Sequence, residues 1–300
     1  MNPQLLNPRF WPAWLGFGLL RVVSLLPYSV LLRLGRGLGW LGRHLARQRA
    51  GIARRNIELC FPELTDEERQ RLLEAHFASL GIGLLEFAIA WWGSDRYLTG
   101  LAEISGLEHL QAATEQGKGV LLLSAHFTCL ELGGRFLTRH VPLDAMYRKT
   151  DSPVVEYLTA SRRAHFSGEI IPRDALKKLL RRLRDGHTVW YAPDQNTQRK
   201  KAVFVKFFGH MASTTPATHK LARATGARVV PFKAVRKADG SGYRLSLEPA
   251  LEEFPSEDAE ADTQRVNDII ERWVREDPEQ YLWIHRRFRT RPDHNDPRLY

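Results

Sequence analysis

A histidine and a glutamate stand five residues apart in Val120-Leu-Leu-Leu-Ser-Ala-His126-Phe-Thr-Cys-Leu-Glu131, directly after an apolar run. An imidazole can take a proton from a hydroxyl, and a carboxylate at its other ring nitrogen can orient it and stabilise the imidazolium. Side chains five apart on one helix point about 140° away from each other. His126 is therefore expected in a strand-to-helix turn, its ring folded back toward a Glu131 on the first helical turn. The dipole of that helix disfavours a charged imidazole and Glu131 favours one, so the two act on His126 in opposite directions. Free N–H groups at the same turn suit a developing oxyanion, and a base beside an oxyanion site suits acyl transfer. A His and a Glu that merely cap and solvate a helix start would show the same spacing.

Hydrophobic patterning indicates the elements that must position this pair. Strands are expected over 119–124, 143–147, 169–171, 188–192, 203–208, 228–235 and 243–248, and helices over 128–139, 153–165, 174–184, 216–225 and 258–275. Such alternation predicts an α/β fold with a mixed, largely parallel sheet flanked by helices. Asp239-Gly240 marks a hairpin between the last two strands. Upstream, Thr65-Asp-Glu-Glu68 is a capping box that opens a long helix through Leu72, Phe77, Leu80, Leu84 and Phe87 to Trp92. Its last six residues are apolar all round, as core, pocket wall or membrane face. In open α/β sheets the working site lies at the carboxyl ends of the strands. The loops emerging there carry His126, Arg148-Lys149 and Asp194-Gln195-Asn196.

With 300 residues, 43% of them hydrophobic, the chain can bury a substantial core and is not a disordered protein. Its net charge of +10 implies an anionic partner. Two cysteines, Cys60 and Cys129, give neither a disulfide framework nor metal-ligand spacing, so no metal site is expected. Cys129 lies about one helical turn after His126 and is the alternative, covalent nucleophile; packing in the core is the plainer reading.

Between Phe10 and Leu32 the only charge is Arg21, and seven arginines with no acidic residue follow from Arg33 to Arg55. The run exceeds the roughly 20 residues a span needs, yet a central Arg costs roughly 2.5–3.5 kcal/mol on insertion scales. Pro12 and Pro27 add kinks. Cations beside an apolar segment mark the cytoplasmic side and attract anionic lipid, which predicts a membrane anchor with a basic flank over 1–45 and a catalytic body in the cytosol over 46–300.

Four stretches carry a resemblance: Asn56-Ile-Glu-Leu-Cys-Phe-Pro62, the His126/Glu131 block, Val189-Trp-Tyr-Ala-Pro-Asp194-Gln, and Glu279-Gln-Tyr-Leu-Trp-Ile-His285-Arg-Arg-Phe-Arg-Thr-Arg-Pro292. Together they resemble the late acyltransferases of lipid A biosynthesis, lauroyl type, over nearly the whole chain. That family uses H-x-x-x-x-D/E as its catalytic pair, within a wider glycerolipid acyltransferase superfamily whose members mostly carry Asp where this chain carries Glu131.

The resemblance implies an acyltransferase moving a fatty acyl group, lauroyl or of similar length, from acyl carrier protein to a 3-hydroxyacyl hydroxyl of a Kdo-bearing tetra-acyl lipid A precursor. It implies His126 and Glu131 as catalytic residues, direct transfer without an acyl-cysteine, no cofactor, and a place on the cytoplasmic side of the bacterial inner membrane. It also implies two substrate-binding residues. Arg148 stands where the superfamily's second block places a phosphate-binding arginine, or else pairs with Asp151. Asp194 orders its loop or meets a polar group of the substrate. The tail from Trp283 to Arg291 interleaves aromatics with cations, which suits a lipid surface; no nucleic-acid module is recognisable. Two other readings stay open: an acyltransferase acting on another glycolipid or a lysophospholipid, and a non-catalytic basic protein that binds anionic membranes.

Overall fold

The computed structural model describes residues 3–293 and 295–300. At its centre Val120-Leu-Leu-Leu123 forms a strand buried on both faces, as a continuous apolar run in a parallel sheet requires. Its side chains alternate between two cores: Leu121 and Leu123 join one, Val120 and Leu122 the other.

In chain order the strands are β1 (Ala102–Ser105), β2 (Val120–Leu123), β3 (Asp144–Tyr147), β4 (Ile170–Pro172), β5 (Thr188–Tyr191), β6 (Val203–Phe207), β7 (His210–Thr214), β8 (Arg228–Arg236) and β9 (Tyr243–Leu247). Seven of them make one sheet in the order β1-β9-β8-β2-β5-β3-β4, while β6 and β7 form a separate antiparallel hairpin. Every pairing in the large sheet is parallel except β8 with β9, the hairpin turned at Asp239-Gly240. The expected mixed, largely parallel sheet is therefore present. Patterning missed β1 and β7, because Ala-Glu-Ile-Ser and His-Met-Ala-Ser-Thr lack the aromatic and β-branched density that marks a strand.

The helices are α1 (Trp11–Val23), α2 (Tyr28–Leu45), α3 (Arg47–Cys60), α4 (Asp66–Trp92), α5 (Asp95–Leu98), α6 (Leu107–Glu115), α7 (Leu130–Leu137), α8 (Pro153–Arg163), α9 (Leu176–Arg184), α10 (Ala217–Thr225) and α11 (Ala259–Glu276). The capping box starts α4 as expected: Glu68 N–H donates to Thr65 Oγ1, and Thr65 N–H to Glu68 Oε2 at 2.8 Å. Of the six residues that end α4, Ala88, Ile89, Ala90 and Trp91 are core.

The apolar run at the N-terminus is not one continuous helix. It breaks between Val23 and Tyr28, where Pro27 stands, into α1 and α2. Thirteen residues make α1 about 20 Å long, against a hydrocarbon core of about 30 Å. Among the described residues α4 is the one helix long and apolar enough to cross a membrane, and 67% of that stretch is buried inside the protein. No linker separates the expected anchor from the body. α2 lies along α4 so closely that a Cβ on Gly81 would meet Gly35 O at 2.1 Å and Gly39 N at 2.3 Å, and Leu31 and Leu32 are buried. The other faces of both helices are bare: Trp11, Leu15, Leu19 and Val22 form one exposed stripe on α1, and Leu34, Leu38, Leu41 and Leu45 another on α2.

Candidate active site

His126 sits in the loop between β2 and α7, the strand-to-helix turn its spacing predicted. The loop is pinned from three sides. The 280–282 segment receives Thr128 N–H on Gln280 O at 2.8 Å, and donates Leu282 N–H to His126 O at 3.0 Å. Behind it, Thr128 Oγ1 and Ser79 Oγ lie 2.7 Å apart, Arg236 Nη1 donates to Ser79, and Arg236 Nε donates to the buried Glu86 at 2.7 Å. Gly83 of α4 faces the loop where a Cβ would meet Thr128 O at 2.5 Å. A loop so tied holds its side chain on rigid elements, as catalytic geometry requires.

The carboxylate that meets the His126 ring is not Glu131. Asp194, in the loop after β5, spans the histidine: Nδ1 lies 2.6 Å from Oδ1, and the His126 backbone N–H donates to Oδ2 at 3.0 Å. β2 and β5 are paired neighbours, so their carboxyl ends bring the two loops together. Burial opposes the His126 imidazolium, but the charge and hydrogen bond of Asp194 outweigh it and raise the pKa above the usual histidine value. Burial also opposes the Asp194 carboxylate. The His126 charge, with hydrogen bonds from its ring and backbone N–H, overcomes this and takes Asp194 down to about 2. With Nδ1 donating to Asp194, Nε2 is the acceptor left to the cavity that His126 lines.

Glu131 has other partners. Arg163 of α8 grips it in a fork, Nε to Oε1 at 2.9 Å and Nη2 to Oε2 at 2.6 Å, and Trp91 of α4 donates its indole N–H to Oε1 at 2.7 Å. A guanidinium that can bind both oxygens holds a buried carboxylate more firmly than one imidazole nitrogen. The expectation that Glu131 orients the ring therefore fails on geometry, and Asp194, expected to order a loop or touch substrate, takes that contact. Glu131 still lines the same cavity.

That cavity, about 370 Å³, lies between α4, α7, α8 and the ends of β3 and β5. His126, Glu131, Arg163 and Arg148 are among its polar groups, and Phe87, Leu130, Phe166 and Trp190 supply much of its apolar wall. Arg148 pairs with no carboxylate among the described residues, so the expected alternative, an ion pair with Asp151, is absent. The N–H groups of His126, Phe127, Thr128 and Leu130 are already bonded, which removes most of the oxyanion donors anticipated at this turn. Cys129 is no nucleophile here: its thiol is buried, donates to Ala234 O at 3.1 Å, and is pushed up to about 12 by burial.

A base buttressed by a carboxylate, beside an apolar slot with cations at its rim, fits hydroxyl activation on a lipid. Comparison with known proteins decides the family: the model for bacterial lipid A biosynthesis acyltransferases matches residues 1–290. The chain belongs to that family. It is 41% identical to a lipid A biosynthesis lauroyltransferase of Escherichia coli, over 97% of this chain and 96% of the relative. A lipid A biosynthesis acyltransferase of Haemophilus influenzae is 37% identical over 100% and 97%. A lipid A biosynthesis palmitoleoyltransferase of Escherichia coli is 40% identical over 96% and 94%. Lauroyl and palmitoleoyl relatives stand at nearly equal distance from this chain.

No local pattern in the sequence marks the partners of Glu131. Arg163 sits 32 residues downstream and Trp91 40 residues upstream, each on a different helix, and no local pattern links them. For Asp194 a signal did exist: it follows the strand expected at 188–192, at the end of the sheet where His126 emerges.

Proposed function

We propose that this acyltransferase moves a lauroyl group from acyl carrier protein to the hydroxyl of a 3-hydroxyacyl chain on a Kdo-bearing tetra-acyl lipid A precursor. The observation that carries the reading is the His126–Asp194 pair at the rim of a largely apolar cavity. His126 Nε2 takes the hydroxyl proton as the oxygen attacks the thioester carbonyl. Asp194 holds Nδ1–H and stabilises the imidazolium. Collapse of the tetrahedral intermediate expels the carrier thiolate, which takes the proton back from Nε2, and the product is an acyloxyacyl ester. Glu131 and Arg163 brace each other across the α7–α8 wall that bounds the cavity. Arg148 binds substrate at its rim.

The exposed apolar stripes of α1 and α2, with Arg33, Arg36 and Arg43 beside them, support a docking helix pair in one leaflet of the inner membrane, catalytic site toward the cytoplasm. Negatively charged carrier and lipid phosphates both suit the +10 chain.

The test is mass spectrometry of lipid A from cells lacking the gene, complemented with wild type or with His126→Ala. A missing mass equal to one lauroyl group, restored by wild type alone, is expected. An unchanged lipid A profile with altered glycerophospholipids would move the reaction to another acceptor.

A further inference from the structure

Beside the catalytic cavity lies a second, about 1000 Å³, that no step above uses; Arg148 lines both. Its cations come from separate loops. Arg148 follows β3, Arg173 follows β4, Arg199 and Lys201 follow β5, and Arg289 comes from the C-terminal tail. Asp174 is the one carboxylate on its lining. Arg199 is engaged, donating to Pro292 O and lying over Phe204. Arg148, Arg173, Lys201 and Arg289 have neither an ion pair nor a side-chain hydrogen bond among the described residues.

The loops are not loose. Thr290 N–H donates to Asn196 Oδ1 at 2.9 Å, Asn196 Nδ2 donates to Thr290 Oγ1 at 3.1 Å, and Asn196 N–H donates to His285 Nε2 at 3.0 Å, which fixes the tail against the β5 loop. Four like charges held around one concavity repel one another, and an anion in the middle reverses the sign of every one of those interactions. Guanidinium forks match phosphate oxygens in pairs.

We infer that this cavity binds a phosphate group of the membrane lipid acceptor, with Arg173, Lys201 and Arg289 as specificity residues; the inference rests on the lipid A reading above. A path to the bilayer favours a lipid over a carrier protein. A third cavity, lined by Gln48, Arg49, Asn196, His285 and Arg289, adjoins this second one through Asn196 and Arg289 and reaches α3, one residue beyond the exposed apolar face of α2. The site is a concavity of about 1000 Å³, whereas an acidic protein presents a convex spread of carboxylates.

The test uses the full chain in mixed micelles, with Arg173→Gln, Lys201→Gln, Arg289→Gln and the Arg173→Gln/Arg289→Gln pair. The readout is the ratio of kcat/KM for the phosphorylated acceptor to that for the same acceptor after phosphatase treatment. The ratio is expected to fall about tenfold for each Arg and further in the double variant, with KM for the acyl carrier donor unmoved. An unchanged ratio, or a rise in donor KM alone, overturns the site. Binding of inorganic pyrophosphate, followed by its ³¹P line width, needs no turnover: it should be saturable in wild type and weakened about tenfold or more in the double variant. Pyrophosphate binding that is equal in both proteins also overturns the site. Specific binding without transfer to any lipid A precursor keeps the anion site and strikes the lipid A reading instead.

Discussion

Two buried carboxylates, one lining the His126 cavity and one behind the histidine, have opposite kinds of partner. Glu131, on α7, is locked by the permanent charge of Arg163 and the indole N–H of Trp91, whereas Asp194, after β5, is held by an imidazole that can gain and lose its proton. A carboxylate paired with a permanent cation braces a wall and has nothing to relay. One paired with histidine sets how strongly that histidine holds a proton, which is the property a general base is judged by. Sequence spacing singles out the first carboxylate; the contact with the His126 ring belongs to the second.

Removing the base itself should have the largest effect on turnover. His126→Ala is expected to lower kcat by about 10²–10⁴-fold with the fold intact, measured as acyl transfer in micelles alongside circular dichroism. Near-normal turnover would place the base elsewhere. Asp194→Asn should come next, because it removes a charge-assisted hydrogen bond worth roughly 1.5–3 kcal/mol, or about 10–100-fold in rate. This variant also carries a pH signature. Asp194 raises the His126 pKa, and the base acts in its neutral form, so rate climbs as pH rises through that pKa. Without the aspartate charge, burial alone acts on His126 and the climb shifts to lower pH. A profile shifted upward, or an unmoved one, would deny the pair its role.

Glu131 breaks differently. In Glu131→Ala the guanidinium of Arg163 is left without its carboxylate partner in a site where both side chains are largely covered, and breaking such a pair costs about 3–5 kcal/mol. Thermal unfolding should show the loss first, with activity following the fraction folded. The pH profile of the surviving activity should match wild type. A profile shifted in the manner of Asp194→Asn would return Glu131 to the histidine.

How much of this was legible beforehand follows the range of the interactions. Elements written by local pattern were readable: the apolar run of β2, the capping box of α4 and the Asp239-Gly240 hairpin all stand where the residues indicated. The His126 turn was readable for the same reason, since five-residue spacing excludes a single helix. Partner choice was not. Whether His126 meets Glu131 or Asp194 depends on which strand lies beside β2, a pairing between residues 68 apart. Arg163 and Glu131 likewise meet across 32 residues of chain, from two different helices. The N-terminal helices show the same limit: composition indicated an apolar segment, but its division into two helices and the docking of α2 on α4 depend on Pro27 and on close glycine contacts with a helix some 45 residues downstream.

Cys129 should give the smallest effect, and it sharpens the comparison from the other side. Its thiol belongs to the core cluster that holds Leu132, Phe136 and Val230, donates to Ala234 O, and is not on the lining of the cavity that His126 and Glu131 share. Cys129→Ala removes one sulfur from a packed core and one weak hydrogen bond, so unfolding should change by about 1 kcal/mol and kcat by less than about twofold. An acyl-enzyme route through this thiol would require the pushed-up pKa to fall and the side chain to leave its core, and trapping with radiolabelled acyl donor would then show a covalent adduct that the alanine variant lacks. Full activity without any adduct leaves direct transfer to the hydroxyl, and with it the His126–Asp194 pair as the centre that carries the proton.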